Sequence, residues 1–474
     1  MKALLPFGVS SPDEVPVYLR VERINMYPES APDARSQTIL RTAPGLVTVA
    51  NKNGFNRGAH VMGEILYAVQ GERLRSYDED YVDSNHGAIL GGARCVMADY
   101  FIPGTSRQLA IGTSERGYIY DTVTGLVEIT DGNFTANAQK RTPLFIGGYA
   151  VWDTPDGMLW SDQQDFLTYP ALNFRTAEAV PDGVLGLAKV FNDVWMLGGD
   201  SIEVHRLTGQ ADENAFAVAQ VIDYGVASPY ATANADNGFF FLEAKGRVYR
   251  ASGFNPVRIS TFQIEQWLRS VDLSDAFMLS FVDRGHEFVA LTVPGSKTEV
   301  YDVATGIWSR RQSFDMERWR VNSHAFFQNE NVFGDYDSGK LRKLDRTRIW
   351  EGDENYGSND DELARHLYTT YIHEDTDPLF ATGLELIAEV GVAYENGGVT
   401  EKLPVIEMQY SDDGGHNWSD WRQGSVGAIG RYWTRIRWDR MGMTRQRVFH
   451  LRMTDPVKCD LIALTFSGEK GVIA

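Results

Sequence analysis

The chain has 474 residues, of which 64 are acidic and 45 basic, for a formal net charge of −19 and a pI near 4.9. No window approaches the roughly 18 uninterrupted apolar residues of a membrane span, and the N-terminal MKALLPFGVSSPDEVP meets proline and acid before a signal-peptide core can form. Two cysteines, Cys95 and Cys459, exclude a disulfide framework and a CxxC zinc site and point to a reducing compartment during folding. The acidity argues against a protein that coats DNA, because such proteins carry basic faces.

At roughly 150 residues per domain the length suggests about three domains. Residues 1–40 carry Pro6, Pro12, Pro16, Pro28 and Pro32 and read as an extended arm that docks on something rather than a core element. Residues 41–348 read as short strands punctuated by Gly, Asp and Asn. Tyr120-Asp121-Thr122-Val123-Thr124-Gly125-Leu126 has a near copy at Tyr301-Asp302-Val303-Ala304-Thr305-Gly306-Ile307, with apolar alternation on both sides of each. A strand–turn–strand hairpin fits both, the Asp accepting turn amides and the Gly taking a left-handed corner. Leu207-Thr208-Gly209 is a weaker relative, and shorter turns fall at Gly71, Gly157, Gly246 and Gly339. These seven turns average about 45 residues apart, with uneven gaps from 32 to 60. A period in the 40s with several strands per unit predicts a β-propeller of six to eight blades, seven being the best count. One helix is expected at 260–273, capped by Ser260, with Ile264, Trp267, Leu268 and Val271 on one face.

Residues 349–365 include EGDENYGSNDDE and read as an acidic linker or loop. Asp353-x-Asn355-x-Gly357 resembles part of a calcium loop, but Gly357 stands where a ligand is needed. Residues 366–474 hold six strand candidates, at 366–373, 383–390, 404–410, 434–438, 448–453 and 460–466, which predict a C-terminal β-sandwich-like domain. The fold class is therefore all-β. The basic run from Arg431 to Arg447, with Arg435, Arg437, Arg440 and Arg445 interleaved with Trp433 and Trp438, alternates at period two and reads as a strand with one charged face rather than a nucleic-acid patch.

Ser411-Asp412-Asp413-Gly414-Gly415-His416-Asn417-Trp418 matches most of an Asp-box, a hairpin staple of sialidases and other propellers, with Asn417 in place of Thr or Ser. Sialidase chemistry needs in addition an arginine cluster and a Tyr–Glu nucleophile pair, and no spacing singles these out. The sequence contains no HExxH, G-x-S-x-G or P-loop motif. No catalytic, cofactor-binding or metal-ligating residue is assigned, no cofactor is called for, and partner-binding residues are not identified. The reading is a scaffold or interaction protein, not an enzyme.

Several segments carry a resemblance. They are Pro44-Gly45-Leu46, Asn56-Arg57-Gly58, Ala179-Val180-Pro181-Asp182-Gly183-Val184-Leu185-Gly186-Leu187, Asp200-Ser201-Ile202-Glu203, Leu207-Thr208-Gly209 and Ile264-Glu265-Gln266-Trp267-Leu268-Arg269-Ser270. In their order and spacing the chain resembles the packaged-DNA-stabilisation proteins, or tail accessory factors (tail hub and nozzle proteins), of short-tailed, podovirus-type bacteriophages. The resemblance implies a structural virion protein assembled in the host cytoplasm as a homo-hexamer below the portal and head-to-tail adaptor. Such a ring extends the DNA channel, retains packaged DNA without specific binding, and offers a platform for the tail needle or tip and for tailspikes or fibres, with no membrane partner. The alternatives are a glycan-binding or sialidase-like propeller of a receptor-binding tail protein, and a propeller scaffold unrelated to phage.

Overall fold

The computed structural model describes residues 2–7, 21–32, 36–102, 106–352, 361–373, 377–391 and 403–471. Short apolar runs broken by turn residues build seven four-stranded antiparallel blades. Six are made of consecutive strands, over 56–88, 96–128, 144–176, 184–222, 232–258 and 277–311. The seventh takes Val321–Phe327, Glu330–Asp335 and Gly339–Asp345 and is completed by Gly45–Lys52 from the other end of the propeller. The register of that closure runs antiparallel from Gly339↔Lys52 to Asp345↔Gly45. Neighbouring blades bury aromatic faces between them. Trp152, Phe134 and Tyr169 fill the space between blades two and three, with Trp152 Nε1 donating to the Tyr169 hydroxyl at 2.8 Å. Trp195 and Phe239 meet edge to face between blades four and five.

The two YDxxTG turns join the third and fourth strands of blades two and six, four blades apart. Asp121 accepts from the amides of Val123 (2.6 Å) and Thr124 (2.7 Å). Asp302 accepts from the Ala304 amide at 3.0 Å. Gly125 and Gly306 take φ of 79° and 70°. The uneven spacing of the seven turns has a simple cause. Those at Gly71, Gly157, Gly246 and Gly339 join second and third strands, whereas those at Gly125, Gly209 and Gly306 join third and fourth strands. The turns thus fall one per blade but alternate between two positions within it, so long and short gaps alternate.

The helix is shorter than expected, Phe262–Leu268, and Thr261, not Ser260, caps it. Ser260 is diverted because its hydroxyl donates to the buried Glu265 carboxylate at 2.8 Å.

A β-sandwich follows, and every one of the six expected C-terminal segments contributes a strand. One sheet runs Met26–Ser30, Thr38–Thr42, Leu461–Lys470, Leu379–Ala388, Ile436–Asp439. The other contains Glu22–Ile24, Arg365–Tyr368, Gln446–Met453, Val405–Ser411 and Arg422–Ser425. Leu40, Leu384, Phe449, Leu451 and Phe466 meet in one core between them. The reading of residues 1–40 as a docking arm is corrected: Lys2–Leu5, Glu22–Ile24, Met26–Ser30 and Thr38–Thr42 are paired strands of this sandwich. Ile24, Met26 and Leu40 are apolar side chains that the pairing takes out of water. Pro28 is tolerated because its strand lies at the sheet edge. The 349–365 linker is likewise corrected at its ends. Trp350–Gly352 pairs in parallel with Gly45–Lys52, and Asp361–Glu362 pairs back on it. The calcium-loop candidate at 353–357 lies outside the described residues. Among the described residues no helix is long and apolar enough to cross a membrane.

Candidate assembly surfaces and central cavity

Propeller and sandwich are welded by backbone. The outer strand of blade six, Ile307–Arg311, pairs in parallel with Glu22–Ile24, so that the blade and a sandwich sheet form one continuous sheet. Asn25, at φ 56°, locks the seam. Its side-chain Nδ2 donates to the carbonyls of Gln312 (2.9 Å) and Ala364 (2.8 Å), and its side-chain Oδ1 accepts from the Gln312 backbone amide at 3.0 Å. Around blade seven, Arg320 bridges Asp335, Glu351 and Asp361. Burial pushes Glu351 up, and a hydrogen bond to the Asp335 carboxylate raises the nearby Asp337 to about 6.

That last shift fixes a sign. Native Asp337 holds a proton between its ordinary value near 3.8 and about 6, where the unfolded chain has lost it, so folding weakens as pH rises through that window. Asp337→Asn is expected to stabilise the protein at pH 7.5 by at most about 1 kcal/mol, solvent screening limiting the gain, and to change little at pH 4. Urea midpoints at the two pH values test this; equal shifts at both would refute it.

The sandwich seals blades six and seven, while the outer strands of blades one to five end their sheets. Phe216–Ile222, the outer strand of blade four, exposes Ala217, Val218, Ala219 and Gln220 in a row without a charge. Such an unblunted edge is a template for another strand. On the sandwich, Ile429, Tyr432 and Trp433 stand out together, Trp433 being 84 % exposed.

Within the basic run, Ile436–Asp439 is a strand whose exposed residues are charged. Ile436 and Trp438 point inward, Arg435 pairs with Glu385 (2.9 Å), Arg437 pairs with Asp439 (2.6 Å), and Arg447 is buried against Asp412. The Asp-box forms as a staple between Val405–Ser411 and Arg422–Ser425. Asp413 accepts from the Asn417 amide (2.8 Å) and the Ser411 hydroxyl (2.7 Å). Asn417 does the work of the missing Thr or Ser, its side-chain nitrogen donating to Asp413 at 2.6 Å. These bonds hold the exposed Asp413 carboxyl far below its usual range. Trp418 packs edge-on against Tyr368 and His450. The residues around it are tied into the sheet: Arg452 lies over Trp421 and pairs with Glu407 at 2.6 Å. Among the described residues no group of three His, Cys, Asp or Glu side chains is placed to hold a metal ion. Cys95 and Cys459 are buried free thiols, both pushed up to about 12 by burial.

Three of the segments that carry the resemblance, 56–58, 179–187 and 200–203, act as structural clasps. Arg57 is fully buried and donates to the carbonyls of Ala93 (2.7 Å), Gly71 (3.1 Å) and Ile89 (2.8 Å), holding blade one together. Asn56 accepts from the Ser323 hydroxyl at 2.6 Å, joining blades one and seven. Asp182 accepts from the amides of Asp200 (2.7 Å) and Ser201 (2.9 Å), and Glu203 accepts from the Ala179 amide (2.6 Å). The 179–187 and 200–203 segments therefore grip each other. The inner strands surround a central cavity of about 650 Å³.

Two family models match the chain: the β-propeller of bacteriophage P22 Gp10 over residues 1–349 and the β-sandwich of bacteriophage P22 Gp10 over residues 364–469. The tail hub protein gp10 of Salmonella phage P22 is 24 % identical over 310 residues, 61 % of this chain and 63 % of the relative. The match thus spans less than two thirds of that relative's length. Among solved structures, the computationally designed Ika8 protein superposes with a TM-score of 0.39 and 14 % identity, over 64 % of this chain and 99 % of the design. PorZ, a surface component of the type-IX secretion system of Porphyromonas gingivalis, gives a TM-score of 0.35 and 15 % identity, over 72 % of this chain and 45 % of its own. With family models on both lobes, the chain belongs to the bacteriophage P22 Gp10 tail hub family.

Proposed function

We propose that the chain assembles as a hexameric hub below the portal and adaptor, where it extends the DNA channel, helps retain the packaged genome, and seats the needle or tip and the tailspikes. The observation that carries this reading is the succession of both tail-hub models on one welded chain. A ring needs two different faces on each subunit, a heterologous interface. The molecule offers them: a sandwich over blades six and seven, and open blade edges on the other blades. Six copies multiply the charge of −19 to −114. A wall of that sign would let DNA slide rather than bind. The role is structural, without catalysis, and its place is the virion tail, after assembly in the host cytoplasm.

Quantitative mass spectrometry of purified particles tests it. One copy per two portal subunits of a dodecameric portal is expected. Multiples of three well above six, or absence from particles, would overturn the hub reading and reopen the receptor-binding alternative.

A further inference from the structure

The central cavity of this strongly acidic chain is lined by two cations, Arg94 and Lys189, against one carboxylate, Asp99. At one mouth the Arg94 guanidinium sits 3.8 Å above the Phe277 ring centroid and 5.8 Å from that of Tyr230. Its hydrogen bonds go to Asn322, to the backbone carbonyl and, at 2.8 Å, to the side-chain oxygen. A second guanidinium, Arg318, stands on the same Phe277 ring at 5.5 Å and on Tyr336 at 4.2 Å, donating to the carbonyls of Trp319 and Val321. Among the described residues neither arginine has a carboxylate within hydrogen-bond reach. Deeper in the cavity, Lys189 donates to the Phe145 carbonyl. The Asp99 carboxylate there is already held by His60 (2.9 Å) and Arg107 (3.0 Å).

We propose that the mouth framed by Arg94, Tyr230, Phe277 and Asn322 is a carboxylate-binding site. Cations withdrawn from water whose hydrogen bonds all go to neutral acceptors are costly, and an incoming anion reduces that cost. Burial lowers the Arg94 guanidinium to about 10, with Arg318 adding to the shift and Asp275 opposing it. A volume of about 650 Å³ holds a few side chains. The rings of Phe277 and Tyr230 suit a ligand that carries its charge on an apolar stem, such as a glutamate side chain, better than a strongly hydrated phosphate. The inference stands apart from the hub reading, since it rests on this cavity alone.

The full-length chain is titrated calorimetrically at low salt with hexaglutamate, with glutarate and with a short single-stranded oligodeoxynucleotide. Hexaglutamate is expected to bind, and Arg94→Met to weaken it roughly tenfold or more, the scale of one charged hydrogen bond. Asn322→Asp places a competing carboxylate beside Arg94. It is expected to abolish binding while raising the melting temperature, a combination that a misfolded variant cannot give. Binding of hexaglutamate without glutarate identifies a protein segment as the source, and equal binding of glutarate identifies a free small carboxylate. Binding of the oligonucleotide alone, no binding of any probe, or undiminished binding in Arg94→Met overturns the proposal.

Discussion

Lowering the pH from 7.5 to 5 is expected to cost a large part of the folding stability, through three neutral histidines. His324, His366 and His450 are pulled down to about 4, about 4 and about 3, chiefly by burial. The geometry explains why they stay neutral. The Gln409 side-chain nitrogen donates to His450 Nδ1 at 2.9 Å, so the His450 proton sits on Nε2 and is donated to His366 Nδ1, also at 2.9 Å. His450 is stacked on Tyr368 at 3.9 Å, and Arg452 repels a charge on either ring of the pair. His324 lies against Phe333. The sign follows: below the ordinary value of 6.5 the unfolded chain binds protons that the native rings refuse, so stability falls as pH drops from 6.5 toward 4. At pH 5 each ring costs about 2 kcal/mol, about 6 in all, against a typical domain stability of about 5–15 kcal/mol. His286 works the other way. Its hydrogen bond to Asp302 (2.9 Å) raises it, so it adds stability below 6.5 that is lost as pH climbs through the raised value. One such ring offsets only part of the effect of three. Urea unfolding across this range, with ring titration followed by NMR on labelled histidine, measures both parts. A flat stability profile, or three rings titrating near 6.5, would refute the account.

The second large effect is steric. Gly45 begins the strand that closes the propeller, and a Cβ there would lie 2.1 Å from the Trp350 carbonyl oxygen and 2.9 Å from the Trp350 nitrogen. Both contacts are to backbone, in the parallel pairing that ties the buried Trp350–Gly352 strand to blade seven. Neither can rotate away, so Gly45→Val must part the two strands. A loss above about 3 kcal/mol is expected, the range for strain at a constrained backbone site. Limited proteolysis is expected to cut first near residues 345–352. The outcome that sinks this is a variant with wild-type urea midpoint and cleavage pattern.

The propeller was legible because its signals are local. An Asp four residues before a Gly, flanked by alternation, specifies a hairpin from a few neighbouring atoms, as at Asp121 and Asp302. The six C-terminal strands were legible for the same reason, Ile436 and Trp438 alternating with Arg437 and Asp439. What stayed hidden depends on distance along the chain. Nothing near Lys2–Leu5 announces pairing with Leu461–Lys470, and the prolines of the first 40 residues outweighed the short alternation at Glu22–Ile24 and Thr38–Thr42. The clasps at Arg57, Asp182 and Glu203 were marked by resemblance alone, because their partners are backbone groups that any residue could supply. The Arg94 mouth left no trace in spacing: Phe277 and Asn322 come from blades six and seven, Arg94 and Tyr230 from the connections that enter blades two and five.

The closure of blade seven also sets a schedule for folding. Gly45–Lys52 leaves the ribosome early, yet its antiparallel partner Gly339–Asp345 follows almost 300 residues later. Lys2–Leu5 waits longer still, for Leu461–Lys470. Pairings of such sequence separation are slow to form and leave edges open in the meantime. During synthesis the middle blades can condense as they emerge, but the ring waits for Gly339–Asp345 and the sandwich for the last strand made, Leu461–Lys470. Conformational completeness thereby becomes a property of the whole polypeptide: a chain ended before residue 339 presents neither finished lobe to a partner, and one ended before residue 461 still leaves Lys2–Leu5 unpaired.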